Sequence, residues 1–177
     1  MNTLRILLTA LCLNLLIYSG ASANYTSKEF QESLFDIGYV DVQTSLKEFN
    51  THFNSDVSLP VQIPSIPFTH SFGRFNNLKE DISDGLEIEF INKDSTKNHY
   101  MIWIKPIDKN FEIDEKTINK TYHISDGSKA IYSTRVAKTF NTLIFEKNEW
   151  QYTLNIDARV ADQVTPKKLV EIANSIN

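Results

Sequence analysis

Cysteine, glycine and proline are scarce here: one, five and five in 177 residues. A single thiol can neither close a disulfide within the chain nor build a cysteine-based zinc site. After Gly20 the glycines stand at 38, 73, 85 and 127, too scattered for a phosphate-cradling loop or a dinucleotide fingerprint. There is no G-x-S-x-G elbow and no H-E-x-x-H, and His52, His70, His99 and His123 are not paired at metal-ligand spacing. Positive charge is in deficit, with 18 Lys and Arg against 22 Asp and Glu, a net charge of −4. That balance argues against a nucleic-acid partner, which would need a basic face. No cofactor is expected.

What is present begins with an address. Arg5 supplies a positive start, Ile6 to Tyr18 is an apolar run broken by Thr9 and Asn14, and Ala21-Ser22-Ala23 is an A-x-A cleavage site. Residues 1–23 are therefore expected to be a secretory signal peptide, leaving Asn24 as the first mature residue. The run is too short to span a bilayer comfortably, and Leu11 before Cys12 argues against lipidation. Cleavage would remove Cys12, the chain's only thiol. No second long apolar segment follows, so no stable membrane insertion is expected after cleavage. The expected location is extracellular or cell-wall associated.

Residues 24–58 have helical spacing. Thr26 and Glu29 have capping-box spacing, Phe30, Leu34 and Ile37 follow, and Gly38 suits a helix end. Val42, Leu46, Phe49 and Phe53 form a stripe on a second helix from about Asp41. Prolines at 60, 64 and 67 make an extended connector. Residues 59–177 form the second unit, in which the period changes to two. Leu86-Glu87-Ile88-Glu89-Phe90 and the alternation of Trp150, Tyr152, Leu154 and Ile156 with Gln151, Thr153, Asn155 and Asp157 mark half-buried strands. Tyr100 to Ile104 is apolar throughout and is expected to be covered on both faces. Asp126-Gly127 predicts a type I′ hairpin turn. Thr165 and Pro166 open a last helix with a stripe of Leu169, Ile172, Ala173 and Ile176. The expected fold class is α+β: N-terminal helices, then a curved, mostly antiparallel sheet of six or seven strands, packed by a C-terminal helix.

Two clusters are candidate sites. Phe68, His70 and Phe72 lie near prolines and an arginine and, with Tyr100 and Trp103, could line an aromatic ligand site on a concave sheet face. The bland alternative is that Phe68 and Phe72 pack in the core, as aromatics at strand spacing usually do. Asp81, Asp84 and Glu87 cluster near a glycine turn and are candidate calcium ligands, although the EF-hand spacing fails at Ile82. Paired carboxylates for glycoside hydrolysis carry no local signature, so a cell-wall hydrolase stays open.

The run Leu143-Ile144-Phe145-Glu146-Lys147-Asn148-Glu149-Trp150-Gln151-Tyr152 is followed by Val164-Thr165-Pro166 and then by Leu169-Val170-Glu171-Ile172-Ala173-Asn174-Ser175-Ile176. This W-x-Y strand and I-A-x-S-[IL] helix resemble an uncharacterised secreted-protein family of spore-forming Gram-positive bacteria. Leu59 to Phe75 and Asn98-His99-Tyr100 are similar to the same group. The resemblance implies a curved antiparallel sheet closed by a helix, like envelope lipoprotein-carrier domains, and implies no assigned activity. The chain departs from the pattern at Asn148-Glu149, where a glycine is usual, and near Lys168, where an acidic residue is common. A positive φ at Glu149 would be strained, so another turn is expected there. The expected role is a non-catalytic module binding a ligand or envelope protein. The alternatives are a cell-wall-polymer hydrolase with distributed carboxylates and a carrier of lipid-like molecules.

Overall fold

The computed structural model describes residues 25–77, 84–109 and 112–177. The expected signal peptide and Asp81 lie outside the described residues. Among the described residues there are three helices, α1 (Ser27–Phe35), α2 (Val42–Phe53) and α3 (Pro166–Ala173), and seven strands. The strands follow the expected alternation: β1 (His70–Asn76), β2 (Gly85–Ile91), β3 (His99–Pro106), β4 (Lys120–His123), β5 (Lys129–Ala137), β6 (Phe140–Lys147) and β7 (Trp150–Asp157). They form one antiparallel sheet in the order β1-β2-β3-β7-β6-β5-β4. Two meanders thus meet at β3 and β7, joined by a crossover over 107–119 that carries the chain to the far edge. The α+β architecture expected from the sequence is the one observed.

The inner face holds the core. Leu86 and Ile88 of β2, Tyr100, Ile102 and Ile104 of β3, and Tyr152, Leu154 and Ile156 of β7 are all fully buried. They face helix stripes: Phe49 of α2 and Leu169, Ile172 and Ala173 of α3 are buried against them. A full turn of aromatics ties α2 to the sheet, with the Phe49 ring 4.9 Å from Trp150 and 5.6 Å from Phe75. The α2 helix therefore shares one core with the sheet. The approach is close at Gly73, where an added Cβ would stand 1.8 Å from Ser45 Oγ. Only glycine leaves α2 room to lie there.

Helix boundaries follow their caps. The Thr26 side chain accepts from Glu29 N–H while Glu29 Oε2 accepts from Thr26 N–H, the reciprocal capping box expected from the spacing. At the other end Gly38 takes φ 94°, letting Gly38 N–H reach Phe35 O and Tyr39 N–H reach Leu34 O. Asp41 caps α2 through Thr44 N–H. Between the helices, Val40 exchanges two backbone hydrogen bonds with Gly73. The chain thus passes round the β1 edge, with α1 on the outer face and α2 on the inner one, and shields that edge from further pairing.

One turn departs from the sequence reading, a second agrees with it, and Phe68 stands apart from His70 and Phe72. At Asp126-Gly127 only Gly127 has positive φ (88°), so the turn is not type I′. Gly127 N–H bonds Ile124 O and Ile124 N–H bonds Ser128 O, a type I turn closed by a glycine bulge. The Asp126 carboxylate stabilises it by accepting from Ser128 N–H. The β6–β7 turn takes positive φ at Asn148 (54°) and not at Glu149, as strain at Glu149 required. Finally, Phe68 does not share a face with His70 and Phe72. β1 starts at His70, and Phe68 still belongs to the connector, turned inward against Phe90.

Candidate functional site

The outer face is polar and partly roofed. At one side α1 and the following turn cover β1. Phe30, Phe35 and Tyr39 surround Phe72 edge-on, with ring centroids 6.0–6.4 Å away. At the other side the crossover returns over β5: Ser133 Oγ donates to Thr117 O and Arg135 reaches Lys116 O. The middle of the face, over β2, β3 and β7, lies between these two covers.

One row of outward side chains crosses all seven strands in register: Arg74, Glu87, Trp103, Thr153, Ile144, Ile131 and Thr121. Its first members belong to a charged network. The Tyr39 hydroxyl lies 2.5 Å from Glu87 Oε1 and 2.7 Å from Glu89 Oε1. Arg74 Nη2 donates to Glu87 Oε2 at 3.0 Å, and its guanidinium lies 4.4 Å over the Tyr39 ring. His99 Nε2 lies 2.8 Å from Glu89 Oε2; the carboxylate can only accept, so this nitrogen carries the proton. Burial pushes the Glu89 carboxyl up, but the hydrogen bonds from His99 and Tyr39 outweigh it and hold Glu89 at about 2. Burial, then the two glutamates, push the Tyr39 phenol far above its usual value, so it keeps its proton. Further along, Asp157 is held low first by its hydrogen bond from Arg159.

Trp103 interrupts this network. It is 42% exposed, while its strand neighbour Met101 and cross-strand partner Thr153 are buried. It forms a ridge between two open hollows. One, of about 340 Å³, is lined by Asn76, Gly85, Glu87 and Lys105. The other, of about 350 Å³, is lined by Lys105, Val136, Ala137, Gln151, Thr153 and Asn155. Lys105 borders both.

The five expected ligand residues do not converge. Phe68 and Tyr100 face the inner core, packed on either side of Phe90 at 5.8 Å. Phe72 is buried beneath α1, and His70 stacks on it at 5.8 Å, its Nδ1 2.8 Å from Thr69 Oγ1. Strand alternation separates Tyr100 from Trp103, and Trp103 alone stands open. Of the expected metal residues, the two that are described, Asp84 and Glu87, do not come together either. Asp84 is buried on the inner side, its Oδ2 3.4 Å from His52 Nε2, whereas Glu87 points outward to Tyr39 and Arg74. Three residues apart on an extended segment, Asp84 and Glu87 fall on opposite faces. Among the described residues no group of three His, Cys, Asp or Glu side chains is placed to hold a metal.

Sequence reasoning missed Tyr39, Arg74, Glu89 and His99 as one network, and Lys105 as the neighbour of Trp103. The i, i+2 spacing of Glu87 and Glu89 on β2, and of Trp103 and Lys105 on β3, was the available signal. Among the described residues no helix is long and apolar enough to cross a membrane. No protein-family model, curated protein or solved structure matches this chain, so its site rests on its own geometry.

Proposed function

We propose that this chain is a non-catalytic module of the cell envelope or extracellular space that binds a ligand or protein partner through the open strip of sheet around Trp103. The observation that carries the reading is the exposed indole set between two hollows on a face otherwise roofed at both sides. Large exposed aromatics on rigid strands are what a recognition surface uses, because they contribute much contact area at little entropic cost. The expected leader and its A-x-A site support export.

The geometry gives less support to the two alternatives. Glu87 and Glu89 come close enough to suggest a hydrolytic pair, but all four of their oxygens are engaged by Tyr39, Arg74 and His99. Tyr39 fills the gap where a reacting sugar carbon would sit. Glu89 is also held low, the opposite of what a general acid needs. A carrier would enclose a lipid tail in an apolar cavity, whereas the inner face is filled by side chains of α2 and α3.

The test is co-sedimentation with purified Gram-positive cell walls that retain their attached polymers and proteins. Wild-type protein is expected in the pellet and the Trp103→Ala variant in the supernatant, with no release of reducing sugar ends. Equal behaviour of the two proteins, or wall hydrolysis, would overturn the reading.

A further inference from the structure

Trp103 and Lys105 sit two residues apart on the same face of β3, about 7 Å along the strand. Lys105 has room to lie flat because it is opposite Gly85: a Cβ there would stand 3.1 Å from Lys105 Cγ and 3.5 Å from Cε. Its ammonium has no acidic partner among the described residues, whereas Arg74 and Arg159 are each paired with a carboxylate. A flat aromatic ridge beside a cation with no acidic partner among the described residues, in an open trough with Thr153 on its floor, has a definite complement. A pyranose ring offers a C–H face to an indole and hydroxyls to polar side chains, and a substituent one ring-width away would meet the lysine.

Other ligand classes fit less well. A peptide would add as a strand at a free edge, but β2, β3 and β7 are paired on both sides. A nucleic-acid strand also stacks on aromatics, but its successive phosphates need a run of basic side chains along a groove, and the lining of the two hollows offers a single one, Lys105. Resting on the binding reading above, we propose that the strip takes a saccharide bearing an anionic substituent, its ring stacked on Trp103 and its carboxylate or phosphate held by Lys105.

The chain has two tryptophans, and Trp150 is only 4% exposed, so iodide quenching of the folded protein reports on Trp103. The probes are tetragalacturonate for a carboxylate, lipid-free teichoic acid for a phosphate, neutral chitotetraose and a thymidine oligonucleotide. At least one anionic saccharide is expected to protect Trp103 from iodide. Its affinity should exceed that of chitotetraose, drop about tenfold in Lys105→Met, and weaken with added salt. Titration calorimetry on Trp103→Ala, with folding checked by circular dichroism, should show no binding. Equal affinity for neutral and anionic saccharides, tighter binding of the oligonucleotide, or unchanged affinity in Lys105→Met would overturn the proposal. So would a failure of every saccharide to bind. If Trp103-dependent sedimentation with cell walls persists in that case, the ligand class is wrong and the binding strip stands; if it too is absent, the binding reading falls as well.

Discussion

The Tyr39 hydroxyl sits between two carboxylates, 2.5 Å from Glu87 and 2.7 Å from Glu89, although it lies about fifty residues away in sequence. Its one proton can serve only one carboxylate at a time, so Arg74 and His99 supply the remaining donors. This contact fastens the turn after α1 onto the outer face of β2 and keeps the carboxylates from facing each other bare. Tyr39→Phe keeps the ring under the Arg74 guanidinium and removes only the hydroxyl. We expect it to destabilise the fold by about 1–3 kcal/mol, the cost of leaving a buried acceptor unpaired. Urea unfolding at neutral pH measures this. A loss within experimental error would mean that water replaces the hydroxyl without penalty.

Acid should find the same network. Glu89 titrates at about 2 when folded, against 4.5 for a free carboxyl. Between those values the unfolded chain binds more protons than the folded one, so stability falls as the pH falls through that window. Asp157, held low mainly by Arg159, contributes with the same sign. Urea unfolding midpoints followed from pH 6 to pH 2 are expected to drop below about pH 4.5, and Glu89→Gln should flatten that drop while lowering stability at pH 6. An equal acid slope in Glu89→Gln would place the titration elsewhere.

Much of the fold was legible because local chemistry and tertiary packing agree. The Leu86-to-Phe90 and Trp150-to-Asp157 alternations place both strands where they form, but the second is not half-buried as read: Gln151, Thr153, Asn155 and Asp157 on its polar face are buried too, because the strand is central in the sheet. The Thr26–Glu29 box and the Thr165-Pro166 start also open their helices as read, although Thr165 makes no side-chain cap bond. The site was less legible. Aromatic content pointed to Phe68, Phe72 and Tyr100, but apolar rings go where burial is deepest, and all three packed. Trp103 differs from Tyr100 only in parity, and parity does not say which face a neighbouring segment will roof. That roof depends on Tyr39 and on the crossover, both remote in sequence.

The contact at Gly73 gives a steric prediction. Gly73→Ala puts a methyl group into Ser45 Oγ and within 2.8 Å of Ser45 Cβ, both on the helix facing it. Because Ser45 is fully buried and held in α2, it cannot swing away, and the helix must lift. A loss of about 1–3 kcal/mol is expected, as for other overpacked cores. Ser45→Gly alone should cost about 0.5 kcal/mol in helix propensity. Combined with Gly73→Ala it should recover part of the loss, so a double-mutant cycle by urea denaturation would show a favourable coupling. Simple additivity would mean that the strand, not the helix, yields.

The aromatic cluster around Phe49 decides whether the N-terminal helices are an appendage or part of the cooperative unit. Phe49 is fully buried and touches Phe53, Phe75 and Trp150, so it joins α2 to β1 and β7 at once. Phe49→Ala removes a ring that the surrounding strands cannot close over, and a cost of about 3–5 kcal/mol is expected. Made in a Trp103→Phe background, the variant leaves Trp150 as the sole tryptophan, excited selectively above the tyrosine band and 4.9 Å from the missing ring. Its native emission should shift to longer wavelength as water reaches the indole. Unfolding followed by Trp150 fluorescence should then coincide with unfolding followed by far-ultraviolet circular dichroism, because the helix and the sheet share one core. Two separated transitions, with α2 melting before the sheet, would show that residues 24–58 only dock onto a sheet that is stable without them.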